Sequence, residues 1–372
     1  MDTIIERLAR TIYERKQGID VDPALLNAQA HQFLNAVFSG YGQSIVDVDF
    51  DTPDFNTLDS LVKNTFQFSA AKNYQELRDI TMAMRDGDRL RGFTEFKDVV
   101  KGINANYNQT WLQTEYDTAI ASSQGSARWS EFDQDKDIHP NLRYQTIGDS
   151  RVRDSHAILN GVVKPFKDSF WDGHYPPNGW NCRCEVIQQT GNAKVTPDSE
   201  ITYPHVPTLF KTNLAKQGLV FPMGHPYYVG IPAGVLDKPV QHAVNKYYEK
   251  QAFGWVDKNV DEGITELALS NFKTEKVVIT RSSLKRDVIE HFAGSDKMMV
   301  PNIMELLPEA KFMEERPLDK TKVNYDKKVK RGVQKYNYYE LNVGKRDFVI
   351  NTEVIGGNHE KLYSVREKQK RN

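Results

Sequence analysis

The chain has 372 residues, 39% of them hydrophobic, with 49 Lys+Arg against 50 Asp+Glu. That length suffices for two or three domains, each with its own core. A formal net charge of −1 excludes a global pull toward polyanions, and a total of two cysteines excludes a disulfide framework.

The first segment, Met1 to Tyr13, is amphipathic and carries Asp2, Glu6, Arg7 and Arg10, which is unlike a signal peptide. No apolar run approaches the ~18 residues of a membrane span. The expectation is a protein made in a reducing cytoplasm. Ile4, Ile5, Leu8 and Ile12 form a helical stripe. Asp22-Pro23 reads as a helix start, with Asp as cap and Pro at the first position. Leu26, Ala30, Phe33 and Val37 follow at helical spacing. Leu58, Leu61, Val62 and Phe66 predict another helix. Thr94 is read as the cap of a helix holding Phe96, Val99, Val100 and Ile103. A longer helix should hold Trp111, Leu112, Tyr116, Ala119 and Ile120 and stop near Gly125.

From about 127 to 235 prolines, glycines and asparagines become frequent, as in Pro176-Pro177-Asn178-Gly179, and long regular elements are not expected. Both cysteines lie here, in Asn181-Cys-Arg-Cys184, with His156 upstream. So irregular a region needs an organiser, and thiolate and imidazole are zinc's preferred ligands. Cys182, Cys184, His156 and His225 would fill a structural tetrahedral site, with His174 as a substitute. The competing reading is that the cysteines are small core residues and that His156 bonds a carboxylate such as Asp149. Asp149, Arg151, Arg153 and Asp154 alternate in sign and read as a local network that fixes a turn.

Residues 239–272 resume as helix. Glu275 to Thr280 is a predicted strand. Ser282 or Ser283 caps a helix with Leu284, Val288, Ile289 and Phe292, ended by Gly294. Pro301 to Leu307 is a short helix. Ala310–Glu314, Tyr336–Val343, Asp347–Val354 and Lys361–Val365 are strands, and turns at Gly344-Lys345 and Gly356-Gly357-Asn358 make the last three an antiparallel meander. Lys320 to Lys335 is a basic loop with seven Lys/Arg. Residues 261–372 carry 22 Lys+Arg against 18 Asp+Glu, so the tail is the part that would meet a polyanion.

The stretch Leu142-Arg-Tyr-Gln-Thr-Ile-Gly-Asp-Ser-Arg-Val-Arg-Asp-Ser-His156, with Leu159-Asn-Gly161, Asn181-Cys-Arg-Cys184, Phe210-Lys-Thr-Asn213 and Phe221-Pro-Met-Gly-His-Pro-Tyr227, resembles the phage Mu F-like minor head protein family, also called the phage head morphogenesis domain. The resemblance covers roughly residues 105–228 and reaches back to Thr114-Glu115 and Trp129. It implies a minor virion component that associates with the portal vertex and inner capsid and meets packaged DNA without sequence specificity. That family often shows Ala-Arg-Thr-Glu where this chain has Leu112-Gln-Thr-Glu115, so an ion pair made by that arginine is not expected here. The tail, through Ser283-Leu-Lys-Arg-Asp-Val-Ile-Glu-His291 and the closing strands ending Leu362-Tyr-Ser-Val-Arg366, resembles phage-borne nuclease domains of the barnase, EndoU, colicin and RelE type.

The expected fold is multidomain: a mainly α N-terminal region (1–104), an irregular α-rich middle (105–235), a helical linker (236–261), and an α+β domain with an antiparallel sheet (262–372). Metal-independent RNA cleavage in the tail needs an acid, a base and cations for the phosphorane charge. His291 is the acid/base candidate, Lys285, Arg346 and Arg366 the phosphate holders, and Thr352 joins them, with His359 and Tyr363 as further sheet candidates. The bland alternative for His291 is a histidine favoured by a helix C-terminus. Localisation follows as virion, made in the bacterial host cytoplasm, with the tail an effector injected to meet host RNA and countered by an immunity protein. The alternative is a purely structural virion protein whose tail binds nucleic acid or a capsid partner without chemistry. A Cys-His nucleophile in the middle domain lacks a base and an oxyanion hole, so that part is not read as an enzyme.

Overall fold

The computed structural model describes residues 2–15, 18–274 and 276–368. Two compact units emerge, one of residues 1–44 and 56–243, the other of 45–55 and 244–372. The helices of the first hundred residues therefore share a unit with the proline-rich centre.

The first unit is built on five long helices: α1 (Asp2–Arg15), α2 (Pro23–Tyr41), α3 (Pro53–Met82), α4 (Phe93–Ala105) and α5 (Leu112–Asp135), with a two-stranded turn of β1 (Arg85–Asp86) and β2 (Arg89–Leu90) between α3 and α4. The apolar stripe of α1 does what its spacing predicts. Ile5, Leu8 and Ile12 pack with Leu25, Leu77, Ile80, Phe96 and Val100. Asp22 caps α2 by accepting the Leu25 N–H at 2.9 Å, with Pro23 at the first turn. Thr94 does not cap α4; the chain enters through Gly92, and Thr94 already lies in the first turn.

Helix α5 runs through Gly125 rather than stopping there. The glycine serves a close approach. A Cβ on it would lie 3.2 Å from the Pro176 carbonyl oxygen, and its own carbonyl accepts the Tyr175 hydroxyl at 2.8 Å. Gly40 plays the same part between α2 and α5, where a Cβ would fall 2.5 Å from the Ile120 carbonyl oxygen.

The centre holds a small antiparallel sheet in the order β4 (Val163–Pro165), β3 (Asn141–Gln145), β5 (Glu185–Gln189). Short helices α6 (Asp154–Ala157), α7 (Phe170–His174) and α8 (Leu214–Gln217) complete it. Its core gathers Leu142, Tyr144, Leu159, Phe166, Trp171 and Val186.

A strap of residues 220–229 is tied to α3. Asn64 Oδ1 accepts the Val220 and Phe221 N–H groups at 2.9 and 2.8 Å. Gln75 donates to the carbonyls of Tyr227 and Val229. Phe221 stacks on Phe68 at 3.7 Å. Beneath the strap, fully buried Lys72 pairs with Glu115, which also accepts the Tyr227 hydroxyl at 2.7 Å. Next to it Glu76 accepts from Asn104, Asn108 and Gln29 at 2.8 to 3.0 Å.

In the second unit, α9 (Asp237–Asn259), which begins in the first, leads to a six-stranded mixed sheet. Its order is β6 (Thr265–Ala268), β7 (Lys276–Ile279), β11 (His359–Glu367), β10 (Arg346–Ile355), β9 (Val333–Val343), β8 (Lys311–Pro317). The meander β9–β10–β11 is antiparallel as expected, while β7 joins β11 in parallel. Strand β6 replaces the end of the expected 239–272 helix. The strand expected from Glu275 begins, as far as it is described, at Lys276; Glu275, Lys370 and Arg371 lie outside the described residues. The helix expected after β7 is present as a π turn (Ser283–Val288) and a 3₁₀ turn (Ile289–His291); it starts with a reciprocal Thr280–Ser283 pair and closes three residues before Gly294. Helix α10 (Met299–Leu306) follows, and the basic loop contains a turn of helix, α11 (Tyr325–Lys330).

The buried pair under the strap gives a direct test. Removing one member of a buried ion pair costs about 3–5 kcal/mol, because the other charge is stranded. Lys72→Met should therefore lower the urea midpoint of the full chain by about that free energy. Lys72→Met with Glu115→Gln should recover much of the loss, since Gln still accepts the tyrosine hydroxyl without a charge. An unchanged midpoint in the single variant would remove the pair from its structural role.

Candidate metal centre

Between β3 and β4 the chain makes an excursion, residues 146–161, and returns in register. Tyr144 and Gly161–Val162 exchange backbone hydrogen bonds of 2.9 Å at its neck. Each residue of Leu159-Asn-Gly161 has a task there. Leu159 enters the core, the Asn160 side chain accepts the Thr146 N–H at 2.9 Å, and Gly161 turns with φ +86°. The excursion carries α6, and on it His156, which is 5% exposed.

The cysteines arrive from the other side. Asn181 takes a left-handed φ of 57°, a conformation asparagine tolerates, and Cys182 N–H closes a turn to Gly179. Cys184 then lies immediately before β5, whose first residue, Glu185, pairs with Gln145 of β3. Arg183 points away and grips Asp149 through two hydrogen bonds of 2.7 and 2.8 Å. That pair ties the excursion to the cysteine turn. Asp149, the carboxylate considered for His156, is thus engaged by Arg183, whose guanidinium holds it down to about 2. Arg153 adds a hydrogen bond of 2.5 Å to the Trp180 carbonyl.

The result is a compact trio. His156 Nδ1 lies 3.7 Å from Cys182 Sγ and 3.4 Å from Cys184 Sγ, and the ligand atoms of all three residues fall within 4.8 Å of one another. Cys184 shares its proton with Cys182. That bond, with His156 assisting, pulls the Cys182 thiol down against the effect of burial. The same sharing, with burial, pushes Cys184 up.

The donor set fits a thiophilic ion. With zinc at ~2.3 Å from sulfur and ~2.0 Å from nitrogen in a tetrahedron, the sulfur–nitrogen edge is about 3.6 Å. The observed 3.4 and 3.7 Å bracket that edge. His156, Cys182 and Cys184 also line a cavity of about 10 Å³, close to the size of one water or one ion. On their other side both cysteines border a larger cavity of about 670 Å³, lined also by Arg128, Arg153, Asp117 and Gln124.

His225 is not part of the trio. Its Nδ1 accepts the Tyr227 N–H at 3.2 Å, and its ring packs against Phe68, Trp180 and Tyr227. Burial, with Lys72 nearby, pulls it down to about 4, so it is a neutral core histidine belonging to the strap. His174 stacks on Phe170 at 4.7 Å and contacts that residue's carbonyl.

The residues nominated in the tail spread over both faces of its sheet. Arg346 and Thr352 share a face of β10 with buried Phe348 and Ile350. Arg346 is held by Asp296 at 2.7 and 2.9 Å and by Glu367 at 2.9 and 2.8 Å, and Thr352 donates to buried Glu360. Arg366 is exposed and pairs across the strands with Val349, on the opposite face. Lys285 is paired with Asp257. His291 is exposed at the end of its turn, and His359 contacts the side chain of Asn358. Among the described residues no helix is long and apolar enough to cross a membrane.

The family model described as Phage Mu protein F like protein matches residues 75–187, beginning earlier and ending earlier than the span expected from motifs. Over 75 residues the chain is 40% identical to the putative capsid assembly protein F of Escherichia phage Mu and 37% identical to the Mu-like prophage FluMu F protein of Haemophilus influenzae. Each alignment covers 20% of this chain and spans 17% and 18%, respectively, of those relatives. No solved structure matches. The stretch that holds Glu76, Glu115, His156 and both cysteines is therefore a phage Mu F-like segment.

Proposed function

We propose that the chain is a head-morphogenesis protein of a tailed phage or prophage, made in the host cytoplasm and built into the virion. One observation carries this reading. The segment that matches the Phage Mu protein F like model contains the Cys/His trio and Glu115, the partner of buried Lys72. Residues 105–235 would then be the morphogenesis module, docking on the portal and inner capsid near packaged DNA. In it His156, Cys182 and Cys184 would hold a structural zinc ion, with the fourth position left to water or a partner's side chain.

For the tail, 262–372, we propose an RNA-directed effector injected with the genome, using His291 as acid/base and opposed by an immunity protein. A specific observation supports a second reading, that the tail binds without cleaving. Arg346 is saturated by two carboxylates and Thr352 by a third, so neither is free for a phosphate.

Three outcomes test these proposals. Elemental analysis of the purified full chain should find about one zinc per chain. Cys182→Ser and Cys184→Ser should lose it, and His225→Ala should keep it. Uptake strips the proton that the two thiols share, so affinity should rise with pH across the neutral range. Absence of zinc, with melting unchanged by chelator, would sink the metal centre. In co-expression with the cognate portal and capsid proteins, the chain should co-sediment with assembled heads; free chain at the top of the gradient would contradict the assembly role. Finally, full chain incubated with total RNA in EDTA should cleave it, and His291→Ala should slow cleavage by about 100-fold or more, the scale of a lost general acid or base. Equal rates would remove His291 from catalysis, and no cleavage by either would leave the binding reading.

A further inference from the structure

A cavity of about 510 Å³ lies against one face of the second unit's sheet, where residues of α11 help to line it. Tyr336 and Tyr338 of β9, Asn351 of β10 and Tyr363 of β11 form one wall. Arg316, Lys322 and Lys328 stand on the other with Asp319 among them, from the end of β8 and the segment after it. Strand alternation explains the wall. Tyr338 is directly opposite Asn351, and Tyr336 opposite Glu353, on the face that Phe348 and Ile350 do not use. Tyr363 joins them because the β10–β11 register slips between Asn351 and Thr352.

Rings and cations are interleaved there. Tyr336 and Tyr363 lie 5.9 Å apart between centroids. The Lys328 ammonium stands 4.7 Å from the first ring and 4.3 Å from the second, bonded to the Tyr336 hydroxyl and 3.3 Å from buried Glu353. The Arg316 guanidinium sits 4.9 Å over Tyr338 and pairs with Glu314. Asn351 Oδ1 is buried with no hydrogen-bond partner. From Lys320 to Lys335 the chain carries seven Lys/Arg against one acid, Asp326. A ligand for this cavity needs a flat π-face for the tyrosines, an anion for the cations and an N–H for Asn351. A nucleotide has all three, and the volume lies in the range of small-molecule sites, ~300–1,000 Å³.

We propose that this cavity binds one nucleotide of a single-stranded RNA, with its base against Tyr336 and Tyr363 and its phosphate at Lys322, beside Lys328 and Arg316. The choice of RNA over other strands rests on the reading of the tail as RNA-directed; the cavity itself does not involve His291.

The test is fluorescence anisotropy with a short labelled oligoadenylate, as RNA and as DNA, in EDTA, the full chain carrying His291→Ala so that the RNA is not cut during the measurement. Tyr336→Ala with Tyr363→Ala should weaken RNA binding by at least about five-fold, the lower end of a lost base stack. Tyr336→Phe with Tyr363→Phe keeps the rings and should bind as the parent does. Lys322→Gln, at an exposed position, should reduce the salt slope of binding by about 0.7. Unaltered melting of each variant separates these effects from misfolding. Full binding by the double alanine variant, or an unchanged salt slope, would overturn the cavity as the site, and equal affinity for the DNA strand would overturn the assignment to RNA. Cleavage of RNA by a chain whose binding ignores the tyrosines would overturn the cavity yet leave the RNA-directed tail standing. Ring-dependent binding without any cleavage supports the cavity and removes only the nuclease.

Discussion

Lys72 lies inside the helical unit with no exposed surface, and a charged ammonium there must find a carboxylate or be neutralised. Burial pulls its pKa down, and Glu115 works against that shift. Glu115 stands on α5, so the pair sets α5 against α3. It has a second oxygen to satisfy, and the Tyr227 hydroxyl does so. Tyr227 belongs to the strap, which reaches α3 again through Asn64 and Gln75. One buried charge thereby fixes the positions of two helices and of a segment more than a hundred residues downstream of the second (|i−j| = 112). A leucine at position 72 would fill the space without specifying which segment lies on top; such specificity is a recognised use of buried polar groups.

The Cys/His trio is held by a different logic. Its supports are a sheet register, a left-handed asparagine and the Arg183–Asp149 pair, all outside the ligand atoms. The arginines around it are engaged by other groups: Arg183 by Asp149, Arg128 by Glu185, and Arg153 by the Trp180 carbonyl. None of these contacts involves the sulfurs, which meet one another and His156, with Tyr144 against Cys184 and the Asn178 backbone against Cys182. That is the arrangement a soft cation requires: donors preset at the edge length of a tetrahedron, with competing cations tied back.

Some of this was readable from residues alone. Asp22-Pro23 announces a helix because both residues act locally: Pro sets φ and Asp reaches an N–H three residues on. The paired cysteines stand out through rarity, and His156 through its place in a motif. The Lys72–Glu115 pair is invisible at that level, since its members are 43 positions apart in a chain rich in both charges. Gly125 carries an ambiguous signal. A glycine in a helical pattern marks either an end or a close approach, and the approaching group, the Pro176 carbonyl, is set by tertiary structure. His225 has the right chemistry for a ligand, but its Nδ1 is used by a backbone N–H two residues away. The short strands β3 to β5 escape a composition-based reading because three to five residues between breakers suffice for them.

The tail shows why residue type must be combined with strand parity. Arg346 and Thr352 look like phosphate-holding residues on a sheet, but they alternate with Phe348 and Ile350 on the packed side, and carboxylates meet them there. Moving one residue along a strand reverses the face. The tyrosines at 336 and 338 fall on the other side, and the cation-rich segment after β8 folds back over them through Lys328 and Arg331, both anchored on Glu353. Glu353 is buried in the sheet, so its charge needs those cations as much as it holds them. Two of the tail's cations are thus drawn to one face by an internal carboxylate, and the aromatic rings of that face lie beside them.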